Sequence, residues 1–177
     1  MVDLKKYQIR GKLKDGRPFL IRAIRPGDKD KLLEGFSRMS NNSIHMRFFG
    51  AKGRLNEQDL AYFSEVDFVR HVALGASIED QGKEQLIGGG RYFEFGKGLL
   101  LRRAEIAFAV IDAYQGQGVT TLILQHLIAI ARTQGIEQFV AETLIENRAM
   151  LKVFEHSGLP MHLEREGDAA NITLSLT

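Results

Sequence analysis

The sequence predicts a mixed α/β domain whose sheet is largely antiparallel and flanked by helices. Three observations point there. Residues 7–25 read as two strands around Lys14-Asp15-Gly16, a hairpin signal. Residues 71–111 read as three successive strands, with turns at Asp80-Gln81-Gly82-Lys83 and Gly96-Lys97-Gly98. Residues 100–143 read as strand, Gly-rich turn, helix and strand. That last pattern is one βαβ unit, whose two strands run parallel.

In chain order, strands are expected at 7–13 and 18–25. Pro26-Gly27-Asp28 opens a helix with Leu32, Leu33 and Phe36 at helical spacing. A second short helix is expected from Asn42 to Phe49. A third starts at Asn56 and carries Leu60, Phe63 and Ser64. Strands at 71–79, 85–95 and 100–111 follow. The helix 118–134 ends at Gly135, a C′ residue, and buries the stripe Val119, Ile123, Leu127 and Ile130. A strand at 136–143 precedes a helix from Asn147 to Ser157, closed by Gly158. The tail 159–177 holds two short strands around Glu166-Gly167-Asp168. No repeat, low-complexity segment or linker interrupts this order, so residues 1–177 are expected to form a single domain.

Composition excludes several classes. The 177 residues, 44% hydrophobic and 26% charged, suit one globular core. A net charge of +2 is too small to mark a nucleic-acid binder, yet leaves a mild basic excess for a phosphorylated ligand. The lack of cysteine rules out disulfides and an acyl-cysteine intermediate. The apolar run Leu122 to Ala131 is broken by Gln125 and His126 and falls short of the ~20 residues of a membrane span. The start Met1-Val-Asp-Leu-Lys-Lys6 is too polar for a signal peptide. A cytoplasmic protein with no membrane partner is expected. His45, His71, His126, His156 and His162 include no His-x-x-x-His pair, so no metal is expected.

The chemistry concentrates around the βαβ unit. Gln115-Gly116-Gln117-Gly118 joins strand to helix, and glycine lets the backbone turn tightly and a ligand approach closely. The helix start offers unpaired N–H groups and a dipole that favours an anion. The turn has neither the Gly-Lys-Ser/Thr of a Walker loop nor dinucleotide glycine spacing. The same glycines also suit an ordinary strand-to-helix connection. Glu105 stands inside the preceding apolar strand and shares a face with Ala107 and Ala109, whose small side chains leave room for a substrate. Burial among Ile106, Phe108 and Val110 would make it a stronger base. The alternative is a surface carboxylate on an edge strand, paired with Arg102 or Arg103. Gly88-Gly-Gly90 suggests a bulge or a close backbone approach. Arg47-Phe-Phe49 is expected to border the acceptor site, with its aromatics in the core. His71 begins a strand near the active face, and His126 is expected on the exposed side of its helix.

These segments carry a resemblance. Gln115-Gly-Gln-Gly-Val-Thr120 resembles the Gln/Arg-x-x-Gly-x-Gly/Ala motif of the GNAT acetyltransferases. Upstream, Ala104-Glu-Ile-Ala-Phe-Ala-Val-Ile111 resembles the strand before that motif in lysine-acetylating members. Downstream, Glu146-Asn-Arg-Ala-Met-Leu-Lys-Val-Phe-Glu-His-Ser-Gly158 resembles the family's Asn-opened helix. Ile21-Arg-Ala-Ile-Arg-Pro-Gly-Asp28 resembles its first strand and helix start. With Met46-Arg-Phe-Phe-Gly50, the likeness is to the bacterial protein lysine acetyltransferase (Pat-like) branch.

The resemblance implies acetyl transfer from acetyl-CoA to an amine. It implies Glu105 as base and the Ala109 N–H as donor to the thioester oxygen. Val110 and Ile111 would pair with the pantetheine arm. Gln115, Gly116, Gln117, Gly118, Val119, Thr120 and Thr121 would hold the phosphates through the turn. Asn147 would reach the pantetheine arm or a water, while also suiting a plain helix N-cap. In the Pat-like branch the acceptor is often a lysine of an acyl-CoA synthetase. Two residues depart from the family pattern. Thr120 replaces a small Gly/Ala, and Phe154 stands where many members place a proton-donating tyrosine. A small-molecule amine acceptor, or a non-catalytic CoA-binding module, remain as alternatives.

Overall fold

The computed structural model describes residues 1–48, 53–96 and 98–177. The expected Phe49 and Gly50 of the second helix segment, and Lys97 of the third turn, lie outside the described residues.

Eight strands form one sheet in the order β1-β2-β3-β4-β5-β6-β8-β7. They are β1 Gln8–Lys12, β2 Pro18–Ala23, β3 His71–Asp80, β4 Lys83–Phe95, β5 Arg103–Val110, β6 Gln138–Leu144, β7 Met161–Glu166 and β8 Ala169–Ser175. The five α-helices are α1 Lys29–Ser37, α2 Asn41–Phe48, α3 Glu57–Ser64, α4 Val119–Thr133 and α5 Arg148–Glu155. Every pair is antiparallel except β5 with β6, the pair expected to be parallel from the βαβ pattern. The mixed, largely antiparallel sheet is therefore as expected. Several boundaries shift, most of all at β5, which begins at Arg103, not at 100. Leu99, Leu100 and Leu101 are exposed, and nothing pairs them into the ladder.

Local chemistry explains the elements. Asn56 caps α3 and forms a capping box with Asp59. Gly118, with φ of 88°, starts α4, and Gly135 leaves it with φ of 77°. The stripe Val119, Ile123, Leu127 and Ile130 is buried as expected. It packs on the sheet face that carries Val72, Tyr92, Ile106 and Phe139. The opposite face carries Ala73 and Leu86, packed with Ile24 and covered by Leu32 of α1.

The sheet bends where β4 carries an extra residue. Ala76 pairs with Gly88 and Ser77 with Leu86, so Ile87 is left as a bulge. The glycines that follow lie close to their neighbours. A methyl on Gly88 would meet the Ala109 carbonyl oxygen at 2.9 Å, and one on Gly90 the Phe108 ring at 2.6 Å. The close-approach reading of Gly88-Gly-Gly90 is thus realised, while the bulge lies just before the triplet, at Ile87. At the start of α1, a largely buried network holds the chain: Arg22 donates to Asp28 at 2.8 Å and to Glu84 at 2.7 Å.

Candidate active site

β5 and β6 are paired only from Arg103/Gln138 to Glu105/Val140. Beyond that point β5 follows β4 as far as Val110, while β6 follows β8 as far as Leu144. Each strand keeps its outer partner, so the two part on the inside and a cleft opens. A cavity of about 800 Å³ fills it. α2 lies across the opening, where Ser43 and Arg47 line the cavity.

Backbone parity decides which amides face this cleft. The Gln138 N–H donates to the Arg102 carbonyl at 3.3 Å, so the even residues of β5 turn toward β6. The Ile111 N–H donates to the Ile87 carbonyl at 2.9 Å, so the odd residues turn toward β4. Phe108 and Val110 therefore face the cleft with no strand opposite. Two expectations are corrected here. Ala109 sits opposite Gly89 and turns its N–H to β4, away from the cleft. Ile111 spends its N–H on Ile87, and its carbonyl accepts from the Tyr114 N–H, both at 2.9 Å, so its N–H is not left to pair with a ligand.

The glycine turn closes one end of the cavity. Gly116 and Gly118 have φ of 74° and 88°, the left-handed region that glycine adopts freely. Among the described residues, no protein acceptor takes the N–H groups of Gly116, Gln117, Gly118, Val119, Thr120 or Thr121. They form a cradle of donors at the start of α4, and a methyl built on Gly116 would meet nothing within 4 Å. This cradle fits an anionic group such as a diphosphate. Thr120 lines the cavity, half-buried.

Polar side chains lock the turn. Gln115 donates through Nε2 to the Val110 carbonyl at 3.0 Å and to Ser43 Oγ at 2.9 Å. Asp112 accepts from the Ser40 N–H at 2.8 Å and from Ser43 Oγ at 3.0 Å. Burial works against the Asp112 charge, but these hydrogen bonds outweigh it and hold its carboxyl below the usual value. The sequence reading missed this tether, because Ser43 and Asp112 are far apart in the chain. It also missed Lys14, whose N–H donates to the Gln117 carbonyl at 3.2 Å. Lys14, Arg148 and Lys152 line the cavity, together with the carboxylates of Glu142 and Glu146. A basic residue in the β1–β2 turn was visible; its approach to residue 117 was not.

Glu105 lies at the point where the strands part, and it lines the cavity with Ala107 and Ala109. It is exposed, which corrects the expected burial among Ile106, Phe108 and Val110. Its strand neighbours Ala104 and Ile106 point to the α4 face instead. β5 is no edge strand either. Arg102 pairs with Glu94 at 2.9 Å, and Arg103 lies over the Phe95 ring, so neither is the partner of Glu105.

Asn147 caps α5, accepting from the Met150 N–H at 3.2 Å, and also lines the cavity. Phe154 is buried against Phe108, with ring centroids 6.3 Å apart, and lines the cleft from below. His71 is buried, stacked on Tyr62 at 4.9 Å, with Nε2 3.0 Å from the Arg91 guanidinium. Burial, and next the Arg91 charge, push it down to about 4, so it is neutral. His126 is half-buried rather than exposed, because Tyr7 reaches over and its hydroxyl lies 2.5 Å from Nδ1. Among the described residues no group of three or more His, Cys, Asp or Glu is placed to hold a metal. None of the described helices is long and apolar enough to cross a membrane.

With this geometry in place, comparison with known proteins is informative. The family described as acetyltransferase (GNAT) domain matches residues 19–160. An acetyltransferase of Pseudomonas aeruginosa is 30% identical over 141 residues, covering 78% of this chain and 73% of that protein. The acetyltransferase Pat of Mycolicibacterium smegmatis is 30% identical over 153 residues, covering 82% of this chain. The chain spans only 42% of that protein's length. The crystal structure of the GNAT domain of S. lividans PAT superposes with a TM-score of 0.85 at 34% identity, covering 95% of this chain and 96% of that one.

Proposed function

The chain belongs to the GNAT acetyltransferase family, and from that premise we propose that it acetylates a protein lysine by direct attack, with Glu105 as the base. Family membership makes it an acyltransferase that uses acetyl-CoA. The finer reading rests on one observation. β5 and β6 part directly after Glu105, so a carboxylate, cleft-facing amides and an amide cradle share one cavity.

Each part answers a chemical requirement. A lysine amine has a pKa near ~10.4 and must lose a proton before it attacks. Glu105, exposed at the transfer point, is positioned to accept that proton directly or through water. The thioester oxygen gains negative charge as the tetrahedral intermediate forms. The N–H groups of Phe108 and Val110 face that region and are the proposed donors, in place of Ala109. The pantetheine arm would lie along the same open edge, as an added strand. The cradle from Gly116 to Thr121 and the cations Lys14, Arg148 and Lys152 would take the phosphates. Phe154 has no proton to give, so we propose that solvent in the wide cleft protonates the leaving thiolate.

The likeness to the Pat proteins supports a lysine acceptor, with an acyl-CoA synthetase as the first protein to try. The test is thiol release from acetyl-CoA with such a protein, then with polyamines. Release with the protein alone supports the reading. Release with small amines alone replaces the protein acceptor with a small one.

A further inference from the structure

A second, smaller cavity of about 110 Å³ adjoins the transfer point. It lies under α1, α2 and α3, on the sheet face that carries Ala107 and Ala109. Its walls are mostly apolar, from Leu32, Phe36, Leu74 and Leu86, and its floor at Gly88 and Gly89 has no side chains. At ~30 Å³ for each water-sized group, it has room for about three or four.

The charged groups in this wall are all of one sign. Lys31, Arg47 and Arg91 line the cavity, and no carboxylate does among the described residues. Lys31 is paired with Glu84 at 2.9 Å, outside the cavity. Arg91 donates only to neutral partners: the Phe63 carbonyl at 3.1 Å, His71 at 3.0 Å and, weakly, the Tyr62 carbonyl at 3.5 Å. It lies 4.7 Å over the Phe63 ring. Arg47 lies 4.8 Å over the Phe48 ring and lines both cavities, where they meet. Among the described residues neither arginine has a carboxylate within ion-pair distance. Glu105 acts on Arg47 only at longer range.

Two half-buried guanidiniums close enough for one charge to act on the other are costly without a counter-charge. Burial pushes Arg91 down to about 9, and the neighbouring Arg47 adds to it; burial also lowers Arg47. A core built only to pack would place apolar side chains here. A neutral or cationic occupant would leave this charge unanswered, whereas a carboxylate would answer it with a fork-shaped, charge-assisted pair.

We propose that this cavity receives a short chain ending in a carboxylate, paired with Arg47 and backed by Arg91. The proposal rests on the acyl-transfer reading above and names a preferred substrate class for it. The carboxylate has two possible sources. It is the far end of a dicarboxylic acyl group on coenzyme A, or it belongs to the amine acceptor. The bond changes are the same in both: the amide C–N bond forms, the thioester C–S bond breaks, the amine proton passes to the base, and coenzyme A leaves as the thiol.

The experiment has two arms, both on the whole chain. In the first, calorimetry compares succinyl-CoA with acetyl-CoA, without acceptor. In the second, thiol release from acetyl-CoA compares 5-aminovalerate with pentylamine. A preference of tenfold or more for the carboxylate partner is expected in one arm, and that arm identifies the source. In Arg47→Gln the preference should shrink at least fivefold. Preferences under twofold in both arms overturn the proposal, as does a preference that survives in Arg47→Gln. The wild-type comparison stands even where the variant folds poorly. Tighter succinyl-CoA binding without any thiol release supports this proposal while defeating the acceptor chemistry above. Turnover with no carboxylate preference does the reverse.

Discussion

Glu105 and Val140 form the last rung between β5 and β6, and beyond it neither strand pairs with the other. The carboxylate thus sits at the apex of the cleft, where the two backbones diverge. Glu105→Gln keeps the shape but removes the proton acceptor. Turnover should fall by ~10²-fold or more, with little change in acetyl-CoA affinity. Steady-state rates set beside calorimetric binding check this, and an unchanged rate would refute the role of Glu105.

Gly116→Ala tests the amide cradle. The new methyl meets no protein atom within 4 Å, but φ of 74° strains a non-glycine residue by ~1 kcal/mol. Stability should drop only by that amount. Acetyl-CoA affinity should fall at least ~10-fold, or ~1.4 kcal/mol, because the methyl enters the space over the donors. Equal affinity in calorimetry would move the phosphates elsewhere.

The buried imidazole of His71 makes stability depend on pH. It is held near 4 in the fold, against an ordinary value of 6.5. Between those values the unfolded chain binds a proton that the folded chain refuses, so stability falls as pH drops through that window. From pH 7 to 5 the His71 share is roughly 2 kcal/mol. Urea titrations at the two pH values should show this loss, and His71→Gln should reduce it. A wild-type stability flat over that range would contradict the assignment.

The network at Arg22 should also lose stability in acid, at lower pH than His71. Arg22 and Asp28 have side chains only 3% and 4% exposed. Hydrogen bonds and charge from Arg22 hold Glu84 well below the usual carboxylate range, and hold Asp28 below it against its burial. Arg22→Met leaves buried Asp28 without its cation and Glu84 with Lys31 alone, and should cost about 3–5 kcal/mol at pH 7. As pH falls below ~4 the carboxylates protonate, and the gap between variant and wild type should narrow. Urea unfolding across that range measures it.

Gly90→Ala tests the packing between β4 and α4. The added methyl would lie 2.6 Å from the Phe108 ring and 2.7 Å from Ile123, both buried. Overpacking of this kind costs about 1–3 kcal/mol. Thermal unfolding should show that loss.

Much of the fold was legible because its signals are local. The hairpin at Lys14-Asp15-Gly16, the period of α4 and the caps Asn56 and Gly135 depend on residues a few positions apart. The glycine turn was legible for the same reason. What the sequence hid depends on neighbours distant in the chain. Alternation says that Glu105 shares a face with Ala107, but not which elements cover that face, so its exposure was missed. Alternation likewise separates Ala109 from Val110, but only the strand order decides which of them turns toward β6. His126 is covered by Tyr7, 119 positions away. Ser43 and Lys14 reach the glycine turn through contacts that no short window contains.

The link from Ser43 to Asp112 and Gln115 has a kinetic corollary. α2 roofs the smaller cavity, and the turn bounds the larger one. Because shared hydrogen bonds join them, the two grips cannot drift apart independently. On the proposed acyl transfer, the spacing between electrophile and nucleophile would thereby be set when the chain folds. The entropy of aligning the reactants would then be met in advance, the ingredient that turns a bimolecular collision into a near-unimolecular event.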